Sequence, residues 1–381
     1  MPLDPEKSKL LETAFRPHAA IEDPGSFFGR DRERARVREA LSEPGLQVVV
    51  YGEGGCGKTS LVNVATEGFP RVKVFCEKAA DFSRILRDIA LKLQEFDPQR
   101  IVYDAFKDTI TARGVVLPLG RMTGNDLLSI LPADQSLCLV LDELDRVEDR
   151  RAIPPIAELA KNVATSRPNL TLVMVGVAET AGGLLDGHAS NYRNIREVQL
   201  DRMENSELRS ILTHGEEVLN LKFSEEVSTE ILQLCDRMPY YLHLLARSAA
   251  KAALEVGSPI VELEDFSRGS IEAASDADQQ LRNTYELART SERGTRIYQR
   301  IIWALANLQS KNNNLAEITR ETNKIALGEK EEAVTPKGIG GALKRLASPE
   351  KGNIIYQPGT GVYSFTSPLM KGFIRLVRYS Q

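Results

Sequence analysis

Between residues 46 and 200, short apolar runs alternate with helical stretches. LQVVVYG, RVKVFCE, SLCLVLDE, NLTLVMVG and REVQL are near-continuous in apolar, largely β-branched residues, which predicts strands of a parallel sheet buried on both faces. After residue 201 the period changes. ENSELRSIL, SEEVSTEILQLCDR and YYLHLLARSAAKAALEV repeat apolar residues three and four apart, predicting a helical lid without strands. From about residue 292, TRIYQRIIWALANL and NLAEITRETN predict two further helices, and Thr335-Pro336 opens another with a cap and a proline at its first position. NIIYQ and VYSFTS flank Pro358-Gly359-Thr360-Gly361 and predict a hairpin, followed by a last helix, PLMKGFIRLVRY. Helices followed by a β-wing form a winged-helix pattern. The expected division is an N-terminal helical extension (1–26), a sheet core (27–200), a helical lid (201–291) and a winged helix (292–381).

One segment carries specific chemistry. GEGGCGKT at 52–59 follows the first strand directly and opens a helix, the context in which GxxxxGK[ST] cradles phosphates. Gly52, Gly54, Gly55 and Gly57 free the backbone to turn its N–H groups inward. Lys58 reaches the outer phosphates, Thr59 offers a hydroxyl to Mg²⁺, and the helix start turns its positive dipole end toward the anion. Cys56 and Ser60 complete the nucleotide-binding candidates of this loop. The second feature is LCLVLDE, which ends in Asp142-Glu143 at the carboxyl end of a buried strand, where ligands of parallel sheets bind. Asp142 is the expected Mg²⁺ holder. Glu143 is the expected group that orients or deprotonates the attacking water. ATP and Mg²⁺ are thus the expected cofactors. The fold expected is α/β: a P-loop parallel-sheet core with helices on both faces, a helical lid domain and a C-terminal winged-helix domain.

FFGRDRE at 27–33, the phosphate loop, LVLDE and the strand LVMVG together resemble the AAA+ superfamily, and within it the origin-recognition-like and STAND signalling ATPases. The resemblance implies an ATPase whose Phe28, Gly29 and Arg30 lie along the adenine. It also implies a polar γ-phosphate sensor at the end of NLTLVMVGVAET, where Glu179 and Thr180 stand in place of the usual Asn. An acid repels phosphate, so Thr180 is the sensor candidate. In HASNYRNIREVQL it implies an arginine finger offered to a neighbouring subunit, with Arg193 favoured over Arg196. DRMPYYLHLLA looks like the Gly-x-Pro motif of STAND ATPases, with Arg237 at the glycine position and Pro239 against the base.

Composition narrows the partners. Among 381 residues the net charge is −4, against bulk coating of nucleic acid, so any DNA contact is regional. TPKGIGGALKRLAS is the candidate reading helix, with Lys337, Lys344 and Arg345; Lys371, Arg375 and Arg378 form either a basic stripe or an ordinary exposed face on the last helix. DNA binding and protein contact therefore both stay open for the winged helix. No run approaches the length of a membrane helix and no signal peptide is recognised, so the expected location is the cytoplasm. Cys56, Cys76, Cys138 and Cys235 read as reduced thiols, and His18, His188, His214 and His243 lack metal-ligand spacing. The leading expectation is a regulatory or defence switch that couples nucleotide state to homo-oligomerisation or recruitment of an effector protein. The alternative is an origin-recognition-like DNA-binding ATPase in replication or transposition.

Overall fold

The computed structural model describes residues 3–132, 135–186, 193–277, 279–291 and 295–379. The chain divides into two compact units, Ala20–Met203 and Met1–Ala19 with Glu204–Gln381. Its first helix, α1 (Pro5–Ala14), is capped by Asp4 and belongs to the second of these units.

In the Ala20–Met203 unit, α2 (Asp31–Ser42), β1 (Gln47–Gly52), α3 (Lys58–Ala65), β2 (Arg71–Phe75) and α4 (Phe82–Phe96) come first. Three short strands follow, β3 (Ile101–Asp104), β4 (Thr109–Ala112) and β5 (Val115–Pro118), then α5 (Gly124–Ile130). β6 (Leu137–Asp142), α6 (Ile153–Ser166), β7 (Leu170–Val177), α7 (Ala181–Leu184) and β8 (Ile195–Leu200) complete it. The five strands anticipated from the apolar runs form one sheet in the order β2-β6-β7-β1-β8, with every pairing parallel. Burial on both faces holds for the three central strands: β1 and β6 are buried throughout, and β7 is buried up to its last residue. It fails at the edges. β2 alternates half-buried and buried positions and ends on the exposed Phe75, because an edge strand has a neighbour on one side only, so its polar Lys73 stays within the strand. One face of the sheet, with Val49, Leu139, Leu141, Leu172 and Met174, packs with Ile85, Ile89 and Leu93 of α4 and Ile156 and Val163 of α6. By the two-residue period, Val48, Val50, Val140 and Val173 face the other side.

β3, β4 and β5 form a separate antiparallel meander that the strand–helix alternation did not anticipate. Each run has only four residues, too few to give a periodic signal. Ile101, Ile110 and Leu117 join the main core, while Val102 and Val116 face outward.

In the second unit, α1 packs on α8 (Asn205–Leu219). After it come β9 (Lys222–Phe223), α9 (Glu225–Leu234), α10 (Pro239–Val256), β10 (Ile260–Val261), α11 (Leu263–Asp276) and α12 (Gln279–Arg289). The lid thus holds one short parallel β9–β10 pair that helical periodicity hid, each strand two residues long. α10 is buried almost all round, and Gly269 of α11 lets that helix approach the α10 backbone; a Cβ there would lie 2.6 Å from Ser248 C and O.

The remainder is α13 (Ile297–Asn307), β11 (Asn313–Asn314), α14 (Leu315–Gly328), α15 (Pro336–Leu346), β12 (Ile355–Gly359), β13 (Val362–Phe365) and α16 (Met370–Tyr379). Thr335 caps α15 by accepting from Gly338 N, with Pro336 in the first turn. The hairpin turns at Thr360-Gly361, with Gly361 at φ 73°, and the three strands order β11-β13-β12, the wing of a winged helix. Two of the three cations of α16, Lys371 and Arg375, turn inward, and Arg378 stays exposed. Lys371 is buried and donates to Gln309 O. Arg375 pairs with Asp236 at 2.8 Å and donates to Ala306 O, and Arg378 donates to Asn307 Oδ1 and lies over the Trp303 ring. An amphipathic helix that buries one face on two neighbours draws its long cationic side chains along that face to the nearest carbonyls and carboxylates.

Candidate nucleotide site

β1 delivers the glycine loop at the carboxyl edge of the sheet, and its geometry explains the glycines individually. At Gly52 a Cβ would lie 2.3 Å from Leu200 O of the adjoining β8, so only glycine lets the strand end there. Gly57 takes φ 90° as the residue before α3, and a Cβ at Gly54 or Gly57 would meet nothing within 4 Å. Gly55 is also left-handed, at φ 79°. The loop therefore keeps open space on its inner side and backbone freedom to turn N–H groups into it.

Lys58 begins α3 and folds back over the loop, donating to Gly52 O at 3.2 Å and Glu53 O at 2.7 Å. Burial pushes its pKa down, and Cys56, Asp145, Asp142 and Glu53 oppose the shift. Burial likewise pushes the Cys56 thiol up, so this loop cysteine stays protonated and packs as a small apolar group. Thr59 sits half-buried in the first turn of α3.

Asp142 ends β6 and is 1% exposed. Its Oδ1 accepts from Glu143 N at 2.9 Å, and its Oδ2 lies 2.9 Å from the ammonium of Lys73 but accepts no aligned hydrogen bond. A buried carboxylate oxygen without an aligned donor is what a metal-bound water would satisfy, so the donor set fits Mg²⁺. Glu143 stands at φ 58°, which turns its carboxylate off the strand; it is held by Arg146 at 2.6 Å. The next acid, Asp145, accepts from Val177 N and ties the turn after β6 to the end of β7.

The flanking candidates occupy distinct places. Gly29 and Arg30 are both left-handed, at φ 71° and 62°, and lead into α2. Phe28 is half-buried, whereas Arg30 is buried and spends its guanidinium on Glu33 and on Asp201 O. Ser60 accepts from Ile21 N at 3.0 Å, pinning the segment that precedes Phe28 to the phosphate-loop helix. Thr180 lies just beyond β7 and caps the short α7 by accepting from Gly183 N at 2.9 Å. Arg193 is exposed and sits before the start of β8, where Gln47 N bonds Asn194 O. β8 runs parallel to β1, so this is the amino edge of the sheet, roughly 20 Å along the strands from the loop. The structure thus gathers Lys58, Thr59, Asp142 and Glu143 and leaves Arg193 away from them. His188 lies outside the described residues.

Pro239 opens α10 in the second unit, and the two residues at Asp236 and Arg237 are left-handed, at φ 52° and 63°. Arg237 therefore adopts the conformation that suits the glycine of the resembled motif. Two polar features beside the loop carried no motif. Arg202 pairs with Glu53 at 2.9 Å, and Lys73 pairs with Asp142. A cation inside an edge strand, as in RVKVF, was the one signal available for the second.

Comparisons with known proteins agree with this geometry. A family model described as Novel STAND NTPase 1 matches residues 14–348. The structure is similar to the Walker-type ATPase PABY2304 of Pyrococcus abyssi, with a TM-score of 0.57 at 18% identity, covering 94% of this chain and 99% of that one. It is also similar to Cdc6p from Pyrobaculum aerophilum, with a TM-score of 0.50 at 14% identity, covering 96% and 98%. At such identities the likeness establishes the fold. No match was found among curated proteins. With a family match across most of its length and a P-loop at the carboxyl edge of a parallel sheet, the chain belongs to the novel STAND NTPase 1 family of P-loop NTPases.

Proposed function

We propose that the protein binds and hydrolyses ATP at the β1–α3 loop and uses its nucleotide state to control self-association or recruitment of an effector protein. The observation that carries this reading is the open glycine cradle beside a buried acid, Asp142, that has an oxygen without an aligned donor. In this reading the loop N–H groups of residues 54–58 hold the phosphates, and Lys58 leaves its two carbonyl partners for the outer phosphates. Thr59 and Asp142 hold Mg²⁺, which supplies charge neutralisation of the phosphates. Glu143 exchanges Arg146 for the attacking water and orients it. Phe28 and Gly29 border the base, while Arg30, already spent on Glu33 and Asp201, fixes that segment in place. Thr180 reads the γ-phosphate. Arg193, exposed on the sheet edge away from the loop, serves a neighbouring subunit as an arginine finger.

Turnover and oligomeric mass measured together test the reading. Glu143→Gln should keep ATP binding, lose about a hundredfold in turnover, and accumulate the ATP-bound assembly. Arg193→Ala should assemble without turnover. A wild type that neither associates nor captures a partner in ATP sinks the switch.

Exposure of Lys337 and Lys344 on α15 favours DNA as a second reading. It requires affinity for duplex to fall with salt at a log–log slope of about two, for two phosphate contacts.

A further inference from the structure

Lys73 is one of the two features of the site that no nucleotide motif explains. It projects from edge strand β2 and is 16% exposed. Three groups fix its ammonium: Asp142 Oδ2 at 2.9 Å, Asn63 Oδ1 at 3.1 Å and the Phe75 ring at 4.7 Å. Asn63 is itself 4% exposed and lies four residues after Thr59, one turn further along the same face of α3. The ammonium is therefore held between the acid and the helix that together flank the expected metal position. A solvated lysine would gain little from such a pair, but this one is partly desolvated and its partner is buried.

We infer that Lys73 is a built-in counter-ion that competes with magnesium for Asp142 and so sets the metal affinity of the site. The inference rests on the reading of Asp142 as a metal-holding residue. Both oxygens of Asp142 have company, Oδ1 from the Glu143 N–H and Oδ2 from Lys73. A magnesium ion held at Asp142, directly or through a bound water, would compete with the Lys73 ammonium for the same negative charge, because two cations beside one carboxylate repel each other. Lys73 is a positioning residue that acts through the acid. Its consequence is regulatory, because nucleotide retention then responds to free Mg²⁺ over a higher concentration range than the bare acid would set.

The test is the affinity of full-length protein for a fluorescent, non-hydrolysable ATP analogue, followed by anisotropy at a series of EDTA-buffered free Mg²⁺ concentrations. The readout is the free Mg²⁺ at which the metal's enhancement of affinity is half-maximal. Lys73→Met should move that point down about tenfold, and Lys73→Arg, which keeps the charge, should leave it near the wild type. Lys73→Gln retains polar contacts without the charge and should show the same downward shift, which covers the case in which the methionine variant fails to fold. An unchanged or upward shift in both neutral variants, with Asp142→Asn weakening the metal effect, overturns the inference alone. An Asp142→Asn variant with unaltered Mg²⁺ response overturns the metal-holding reading and the inference together.

Discussion

Two acids, one in each unit, use their lone pairs in opposite ways. Asp236 at the turn before α10 meets Arg375 at 2.8 Å and Lys371 at 3.8 Å, two cations of one helix, and all three side chains are nearly closed to solvent. Asp142 at the end of β6 is more deeply buried, and among the described residues one ammonium, that of Lys73, pairs with it, at an oxygen that accepts no aligned hydrogen bond. The first cluster is spent on holding α16 against the lid, with Tyr241 donating to Leu369 O at 2.6 Å beside it. The second keeps capacity in reserve. Burial alone therefore does not separate the two acids; the hydrogen-bonding capacity left on the carboxylate does.

The contrast is sharpest when a member of each region is removed. Lys58→Ala should weaken ATP binding by at least about a hundredfold while leaving the melting temperature close to the wild type, because its charge is addressed to a ligand. Calorimetric titration with parallel thermal melts checks both halves. Asp236→Ala should do the reverse, destabilising the fold by about 3–5 kcal/mol by stranding two buried cations. Urea unfolding measures it, and a loss below about 1 kcal/mol would place Asp236 among ordinary surface acids.

A smaller effect refines the comparison by pH. His243 is buried on α10 beside Phe15, and burial, with help from His214 and Arg16, pushes its pKa from 6.5 down to about 4. The unfolded chain takes up the proton first as pH falls, so the stabilisation present above about 6.5 is lost progressively toward about 4. The loss is on the order of 3 kcal/mol at most. His243→Leu should flatten the stability profile across that window. A slope identical to the wild type would assign the acid sensitivity to other groups.

What was legible in the sequence follows the range over which each signal acts. The five strands of the parallel sheet and the hairpin of the wing are written in runs of neighbouring residues, and the structure holds each of them. The glycine loop is equally local, and its φ values and the space around it are those the residue types require. The β3–β5 meander was not legible, since its strands find partners only through pairing with one another. The inward turn of Lys371 and Arg375 was hidden for another reason. Spacing three and four apart identifies a shared helix face, but says nothing of whether that face meets solvent or a carboxylate 139 positions away. Lys73 belongs to the same class, because its partner lies on the adjacent strand rather than on its own.

The chain crosses between its units twice, at residues 19–20 and 203–204. Each crossing is moored, on the Ala20–Met203 side, to the phosphate-loop apparatus. Ile21 is tied by its N–H to Ser60 and by its carbonyl to Asn63, and Arg202 is tied to Glu53. On that side, both crossings are thus fastened to one short stretch, the phosphate loop and the helix it opens, between Glu53 and Asn63.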